Sequence, residues 1–179
     1  MFFSTDYAEH LQAIVELVTK TFTASEDPAE GALIGDLALK LMSDTPKQDL
    51  QVFLAWEDGA LVAAIFFSRL VYDGDARTVF VMGPVAVATP RQRQGIGQEL
   101  ITHGLDVLRR QSADVAITYG DPIFYCRVGF KPISERDIPA PFALQHPEGW
   151  LGQSLTQDEL KPFTGAVQCV SAFRNPAFW

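Results

Sequence analysis

Cysteine is scarce in this sequence: Cys126 and Cys169 are the only two among 179 residues, and their separation fits no metal-ligand spacing. A chain of this length builds its core without disulfides, so both read as reduced thiols, and no metal is expected. Long apolar runs are missing as well. No stretch approaches the roughly 18 consecutive apolar residues of a membrane helix. The segment Met1-Phe2-Phe3-Ser4-Thr5-Asp6 has neither the basic start nor the apolar run of a secretion signal. A cytoplasmic protein without a membrane partner is the expectation. Positive charge is short too: 14 Lys and Arg stand against 22 Asp and Glu, a formal charge of −8 with no basic stripe, which disfavours a nucleic-acid partner. An acidic surface suits a cationic small molecule or a basic peptide, and serves equally as a solubility device. Repeats, low-complexity tracts and linkers are absent, so one domain over residues 1–179 is expected.

What is present is a 47% hydrophobic composition, enough for a sizeable core, arranged with clear periodicity. Thr5 or Asp6 can cap a helix whose apolar residues Leu11, Ile14, Val15, Leu17, Val18 and Phe22 share one side. Asp27-Pro28 opens a second helix, carried on by Leu33, Ile34, Leu37 and Leu41 and ending before Asp44-Thr45-Pro46. Glu57-Asp58-Gly59 separates the apolar runs Gln51 to Trp56 and Ala60 to Leu70, a strong hairpin signal. After the turn at Asp73-Gly74-Asp75, Thr78 to Val87 reads as a buried central strand. The period then becomes helical from Gly97 to about Arg110, through Leu100, Ile101, Leu105 and Leu108. Val115 to Tyr119 is a short strand and Phe124 to Val128 a helical turn. Pro139 to Pro162 reads as proline-punctuated loop before an edge or closing strand within Val167 to Phe173. Helices mixed with strands imply an α/β or α+β sheet with helices on its faces.

The strand, glycine turn and helix at Val79 to Leu108 carry the chemistry. Backbone N–H groups at a helix start bind anions, and glycine lets a phosphate come close, so Gln94 to Gln98 is a candidate anion site. Taken alone, Gly95 and Gly97 serve equally well as a tight strand-to-helix turn. Two familiar phosphate loops fail on the residues: a dinucleotide fingerprint needs glycine where Leu100 stands, and the Gly-Lys-Ser/Thr of a P-loop is absent.

Gln92-Arg93-Gln94-Gly95-Ile96-Gly97 resembles the Gln/Arg-x-x-Gly-x-Gly/Ala hallmark of the GCN5-related N-acetyltransferase superfamily. Gly83-Pro84-Val85-Ala86-Val87 resembles the family's bulged strand, and Tyr125-Cys126-Arg127-Val128-Gly129-Phe130 matches its Tyr-x-x-x-Gly-Phe element in the same order. The resemblance covers about Thr5 to Ile133 and extends to a bacterial subgroup with a loop-rich C-terminal extension, here about residues 134–179, closing near Pro176-Ala177-Phe178.

That likeness implies a mixed, mostly antiparallel central sheet with flanking helices and a splayed strand pair that admits the coenzyme A arm. It implies acetyl-CoA as cosubstrate and direct attack by a primary amine, a small molecule in preference to a protein; a homodimer is compatible with it. Val85, Ala86 and Val87 would line the pantetheine arm, with a backbone N–H near Val85 toward the thioester oxygen. Gln92, Arg93, Gln94, Gly95, Ile96, Gly97 and Gln98 would form the pyrophosphate loop, and Arg91 or Arg93 would add charge there. Tyr125 is the implied general acid for the leaving thiolate. Where many relatives have asparagine before that tyrosine, this chain has Asp121-Pro122. Cys126 as nucleophile has little support, because none of His10, His103 or His146 is placed to activate it. Glu26, Asp27 and Glu30 read as an acidic helix start rather than as a base. Phe142, Trp150, Phe163 and Phe173 of the extension either shape the acceptor side or complete the core or an oligomer contact. The competing reading is a non-catalytic acyl-CoA sensor that keeps the phosphate loop.

Overall fold

Asp27 acts as a capping carboxylate ahead of proline: its Oδ1 accepts from the N–H groups of Ala29 at 2.8 Å and Glu30 at 2.9 Å. Helix α2 runs Pro28–Asp44 behind this cap in the computed structural model, which describes residues 1–179. The first helix departs from expectation. Thr5 and Asp6 do not cap it; α1 spans Leu11–Ser25 from an N-cap at His10 that makes no side-chain cap bond. The reason lies upstream, where Phe2–Ser4 forms strand β1 and pairs antiparallel with β2 (Leu50–Glu57), Phe2 opposite Trp56. The chain needs residues 5–10 to leave that strand, so long-range pairing overrides a good local cap.

Helix α1 buries Ile14, Leu17, Val18 and Thr21. It meets α2 at unusually close range: a Cβ added at Gly31 would lie 1.9 Å from Thr23 Oγ1 and 2.7 Å from the Thr19 carbonyl oxygen, and one at Gly35 would lie 2.1 Å from Thr19 Oγ1. The two glycines give up helix propensity so that α1 can rest on the α2 backbone.

Strand β3 (Ala60–Tyr72) follows β2 through Asp58 and Gly59, at φ 49° and 79°, the two positive values of a type I′ turn. The remaining elements are β4 (Val79–Val87), α3 (Ile96–Arg110), β5 (Val115–Tyr119), α4 (Pro122–Tyr125), β6 (Lys131–Pro132), β7 (Trp150–Ser154) and β8 (Val167–Cys169). The strand order is β1-β2-β3-β4-β5-β7-β6, with β8 paired to β3. Strands β4 and β5 are parallel, registered from Val79 opposite Val115 to Met82 opposite Thr118. The pairs β1–β2, β3–β8, β5–β7 and β6–β7 are antiparallel, which makes the sheet mixed and mostly antiparallel as expected.

Two compact units make up the chain. One comprises Met1–Phe67 with Gly83–Gly104 and is cored by Ile14, Val18, Leu41, Phe53, Phe66 and Leu100. His103 sits in it among rings, 5.0 Å from Phe3 and 5.8 Å from Phe53. The other comprises Ser68–Met82 with Leu105–Trp179. The Pro139 to Pro162 loop expectation is corrected here, because Trp150–Ser154 is strand β7, in register with all five residues of β5. Gly152 and the flanking prolines hide that strand from any periodicity; only its partner reveals it. Val167–Cys169 is the expected closing strand, but Ser171–Phe173 turns into a 3-10 helix. Trp150, Phe163 and Phe173 are buried, so these aromatics of the extension complete the second unit's core. Arg77 fastens the extension: it donates to Asp75 through Nε at 2.9 Å and Nη2 at 2.6 Å, and to the carbonyls of Lys161 and Pro162 at 2.8 Å each. Its guanidinium also stacks 3.6 Å above the Phe163 ring. No helix is long and apolar enough to cross a membrane.

Candidate active site

The first unit carries the loop from β4 to α3. Ala88 N–H donates to Val62 O at 2.8 Å and holds the end of β4 on β3. A 3-10 turn over Thr89–Arg91 follows, closed by Arg91 N–H on Ala88 O at 2.7 Å. Two glutamine side chains then brace the loop. Gln92 Nε2 reaches back to Val87 O at 3.1 Å, and Gln94 Nε2 to Pro90 O at 3.1 Å. Their residue type is thereby explained: each side-chain amide ties the loop back to a carbonyl that precedes it, one at the end of β4 and one in the 3-10 turn.

Arg93 and Gly95 lie at positive φ, 62° and 85°, on either side of Gln94. Gly95 takes that conformation freely, whereas Arg93 takes it against its side chain's preference. Alternation of this kind turns successive N–H groups toward one point and makes an anion-binding concavity. The first helical hydrogen bond runs from Glu99 N–H to Gly95 O at 3.0 Å, so the amides of Gln94 to Gln98 precede the helical ladder. Gln92 to Gly95 are exposed, while Ile96 and Gly97 are buried and anchor α3. The two candidate arginines now separate. Arg91 is held by the Glu57 carboxylate, whereas Arg93 is exposed. Val85, Ala86 and Val87 belong to this same unit, with Ala86 fully buried and its two neighbours half-buried. Val87 O also accepts from Thr21 Oγ1 at 3.4 Å, which ties α1 to the strand end.

Tyr125 lies in the second unit, at the end of α4. Asp121 caps that helix, its Oδ1 accepting from Ile123 N–H at 2.8 Å; this is the work done here by the residue that replaces the family's asparagine. The Tyr125 ring packs between Phe124, 5.0 Å away at 81°, and Phe130, 6.1 Å away at 74°. The residue as a whole is half-buried, but its hydroxyl end is enclosed, and that burial pushes the phenol up to about 12. A hydrogen bond with Thr118 works in the opposite direction, and the Asp121 carboxylate adds to the rise. A phenol in this state is fully protonated at neutral pH, as a proton donor must be. Gly120 seats the Tyr125 ring: a Cβ there would lie 2.7 Å from Cε2, a closeness that its place before Asp121-Pro122 does not reveal in the sequence. Cys126 is exposed beside it. His10 packs half-buried on Trp56 at 4.7 Å, and His146, exposed, lies 3.5 Å from Glu148, so each of these histidines has a partner other than the thiol.

The chain is similar to known proteins along nearly its whole length. An uncharacterized N-acetyltransferase of Escherichia coli, YjhQ, is 29% identical over 161 residues, covering 87% of this chain and 84% of that protein. The crystal structure of the E. coli GNAT family N-acetyltransferase YhbS in complex with CoA has the same fold, with a TM-score of 0.82 at 23% identity over 97% of this chain and 92% of that one. A GNAT family acetyltransferase from Brucella melitensis in complex with acetyl-CoA follows at a TM-score of 0.73 and 25% identity, covering 96% and 97%. The model of the acetyltransferase (GNAT) family matches residues 11–122, from the start of α1 to the start of α4, and stops just short of Tyr125. On that match, which takes in more than half of its residues, the chain belongs to the acetyltransferase (GNAT) family.

Proposed function

We propose that this protein is an N-acetyltransferase that moves the acetyl group of acetyl-CoA to a primary amine, a small molecule in preference to a protein. The observation that carries the reading is the loop at Gln94 to Gln98, whose amides precede the helical ladder and follow or include the positive-φ residues Arg93 and Gly95. An anion fits there, and the E. coli and Brucella neighbours are described in complex with CoA and with acetyl-CoA.

Acetyl-CoA supplies an activated thioester; the chain supplies position and charge. Gln94 to Gln98 hold the pyrophosphate through backbone N–H groups, and Arg93 adds the free guanidinium. The backbone of Val85 to Val87 lies beyond the β4–β5 register, which ends at Met82, and runs along the pantetheine arm. A backbone N–H near Val85 stabilises the oxyanion as the amine forms its C–N bond. Tyr125 gives its hydroxyl proton to the sulfur as the C–S bond breaks, the nitrogen that attacked releases its surplus proton to solvent, and solvent returns a proton to the phenolate.

The test is thiol release from acetyl-CoA against panels of polyamines, amino acids, aminoglycosides and peptides. Tyr125→Phe is expected to lower kcat by about 10²-fold or more while leaving acetyl-CoA affinity unchanged. Undiminished turnover would remove Tyr125 from the mechanism. Tight acetyl-CoA binding with no acceptor in any panel would replace the enzyme by a sensor.

A further inference from the structure

Gln153 stands in β7, opposite Ala116 of β5, and is buried. Its side chain joins two neighbours. Arg109 Nη2, from α3, donates to Gln153 Oε1 at 3.1 Å, and Gln153 Nε2 donates to Val128 O at 3.2 Å. Chemistry fixes the orientation of this amide: a guanidinium only donates and a carbonyl only accepts, so the oxygen must face Arg109 and the nitrogen Val128. Arg109 is itself held by Asp106, Nη1 to Oδ1 at 2.7 Å. Asp106, Arg109, Gln153 and Val128 thus form one chain of hydrogen bonds in which each link orients the next.

Val128 ends the 3-10 turn Cys126–Val128, which continues α4 beyond Tyr125. This turn is closed on itself, because Gly129 N–H donates to Cys126 O and Phe130 N–H to Tyr125 O, both at 3.3 Å. A shift of Val128 is therefore passed to Tyr125. Strand β7 holds the turn at two adjacent residues: Gly152 is registered with Lys131, directly after Phe130, and Gln153 takes Val128 O. Gly129 lies between these holds at φ 93°, and a Cβ there would be 3.3 Å from Gln153 Oε1, so glycine lets the amide pass close to the turn.

We propose that Gln153 is a positioning residue acting through Val128: it holds the turn that carries Tyr125, and Arg109 aims its amide. The inference rests on Tyr125 being the general acid. A proton donor must keep its oxygen within hydrogen-bond reach of the atom it protonates, and a displacement of about 1 Å is worth about 100-fold in rate. Helix α4 has four residues, too few to hold a direction by its own hydrogen bonds. Gly120 seats the ring, and Gln153 secures the main chain behind it.

Gln153→Glu isolates the link to the turn. A carboxylate still accepts from Arg109 but has no hydrogen for Val128 O. Amide hydrogen exchange reads the turn directly: Phe130, whose N–H lies on Tyr125 O, is expected to exchange about tenfold faster in this variant, the worth of one hydrogen bond. Thiol release with acetyl-CoA and an accepted amine is expected to show kcat lowered about tenfold, with KM for acetyl-CoA unchanged. In a Tyr125→Phe background the same substitution is expected to cost nothing further. Gln153→Met, which removes both links and keeps the length of the side chain, is read in the same way if the glutamate variant does not fold. Unchanged exchange at Phe130, wild-type kcat, or an equal loss of rate in both backgrounds overturns the proposal. If Tyr125→Phe alone still loses its rate, those results remove Gln153 and leave the acid reading standing. An undiminished rate in Tyr125→Phe alone overturns the acid reading, and the role of Gln153 falls with it.

Discussion

Gly120→Ala adds a single methyl group at the point where the Tyr125 ring rests. Carbon atoms in contact settle about 3.5–4.0 Å apart, and the added Cβ would begin 2.7 Å from Cε2 and 3.6 Å from Cδ2. The ring must therefore retreat by roughly 1 Å, or the backbone must yield by as much. Retreat is resisted by Phe124 and Phe130, and it carries the hydroxyl with the ring. Overpacking of this kind costs about 1–3 kcal/mol. For a chain of this length that lowers the melting temperature by roughly 2–10 °C. The effect on rate is larger, because a misplacement of about 1 Å is worth about 100-fold. Steady-state thiol release should show kcat down by about that factor, with KM for acetyl-CoA little changed, since the phosphate loop is untouched. In a Tyr125→Phe background the same substitution should leave the rate where it was. Wild-type kcat in Gly120→Ala, or an equal loss in both backgrounds, would refute the reasoning, because either result means that the ring's seat does not govern the reaction.

Arg77→Ala removes two bonds to the carbonyls of Lys161 and Pro162, a bidentate pair with Asp75 and the stacking on Phe163. With the Arg77 side chain 26% exposed and solvent screening taken into account, the expected loss is about 2 kcal/mol, measured by urea unfolding and accompanied by faster tryptic cleavage near Lys161. Asp75 gives a pH signature. The Arg77 guanidinium holds its carboxyl below its ordinary value of 3.8, so the stabilisation is complete above that value and is lost as pH falls through the lower folded value. Asp75→Asn should flatten stability against pH in that acid window alone, and an unchanged acid profile would count against the pair.

The elements with a strong local signal were legible before any coordinates. Asp27-Pro28 caps and opens α2, Asp58-Gly59 turns the hairpin, and Val115–Tyr119 is a strand from end to end. The candidate site was legible to the extent that its parts are local. The residues Gln92 to Gly97 lie between strand and helix, and the motif Tyr125 to Phe130 lies where α4 ends. Strands β1 and β7 were not legible, since three residues of strand, or five with a central glycine, have no period of their own and exist only through a partner across the sheet. The part played by Gly120 was hidden for a similar reason. Its meaning is a distance to the Tyr125 ring, and separations in sequence do not encode distances.

The sequence by itself determined which segments become helix or strand, through apolar period and capping chemistry, and it determined the residue types of an anion loop and a phenol. Tertiary structure decided what those residues are free to do. It put Glu57 on Arg91 and left Arg93 exposed, and it bent Arg93 and Gly95 into positive φ ahead of the helix. It also buried the Tyr125 hydroxyl, and that burial pushes the phenol up to about 12. Hydrogen-bond partnership and solvent exclusion are properties of position in space, and only the folded chain sets them.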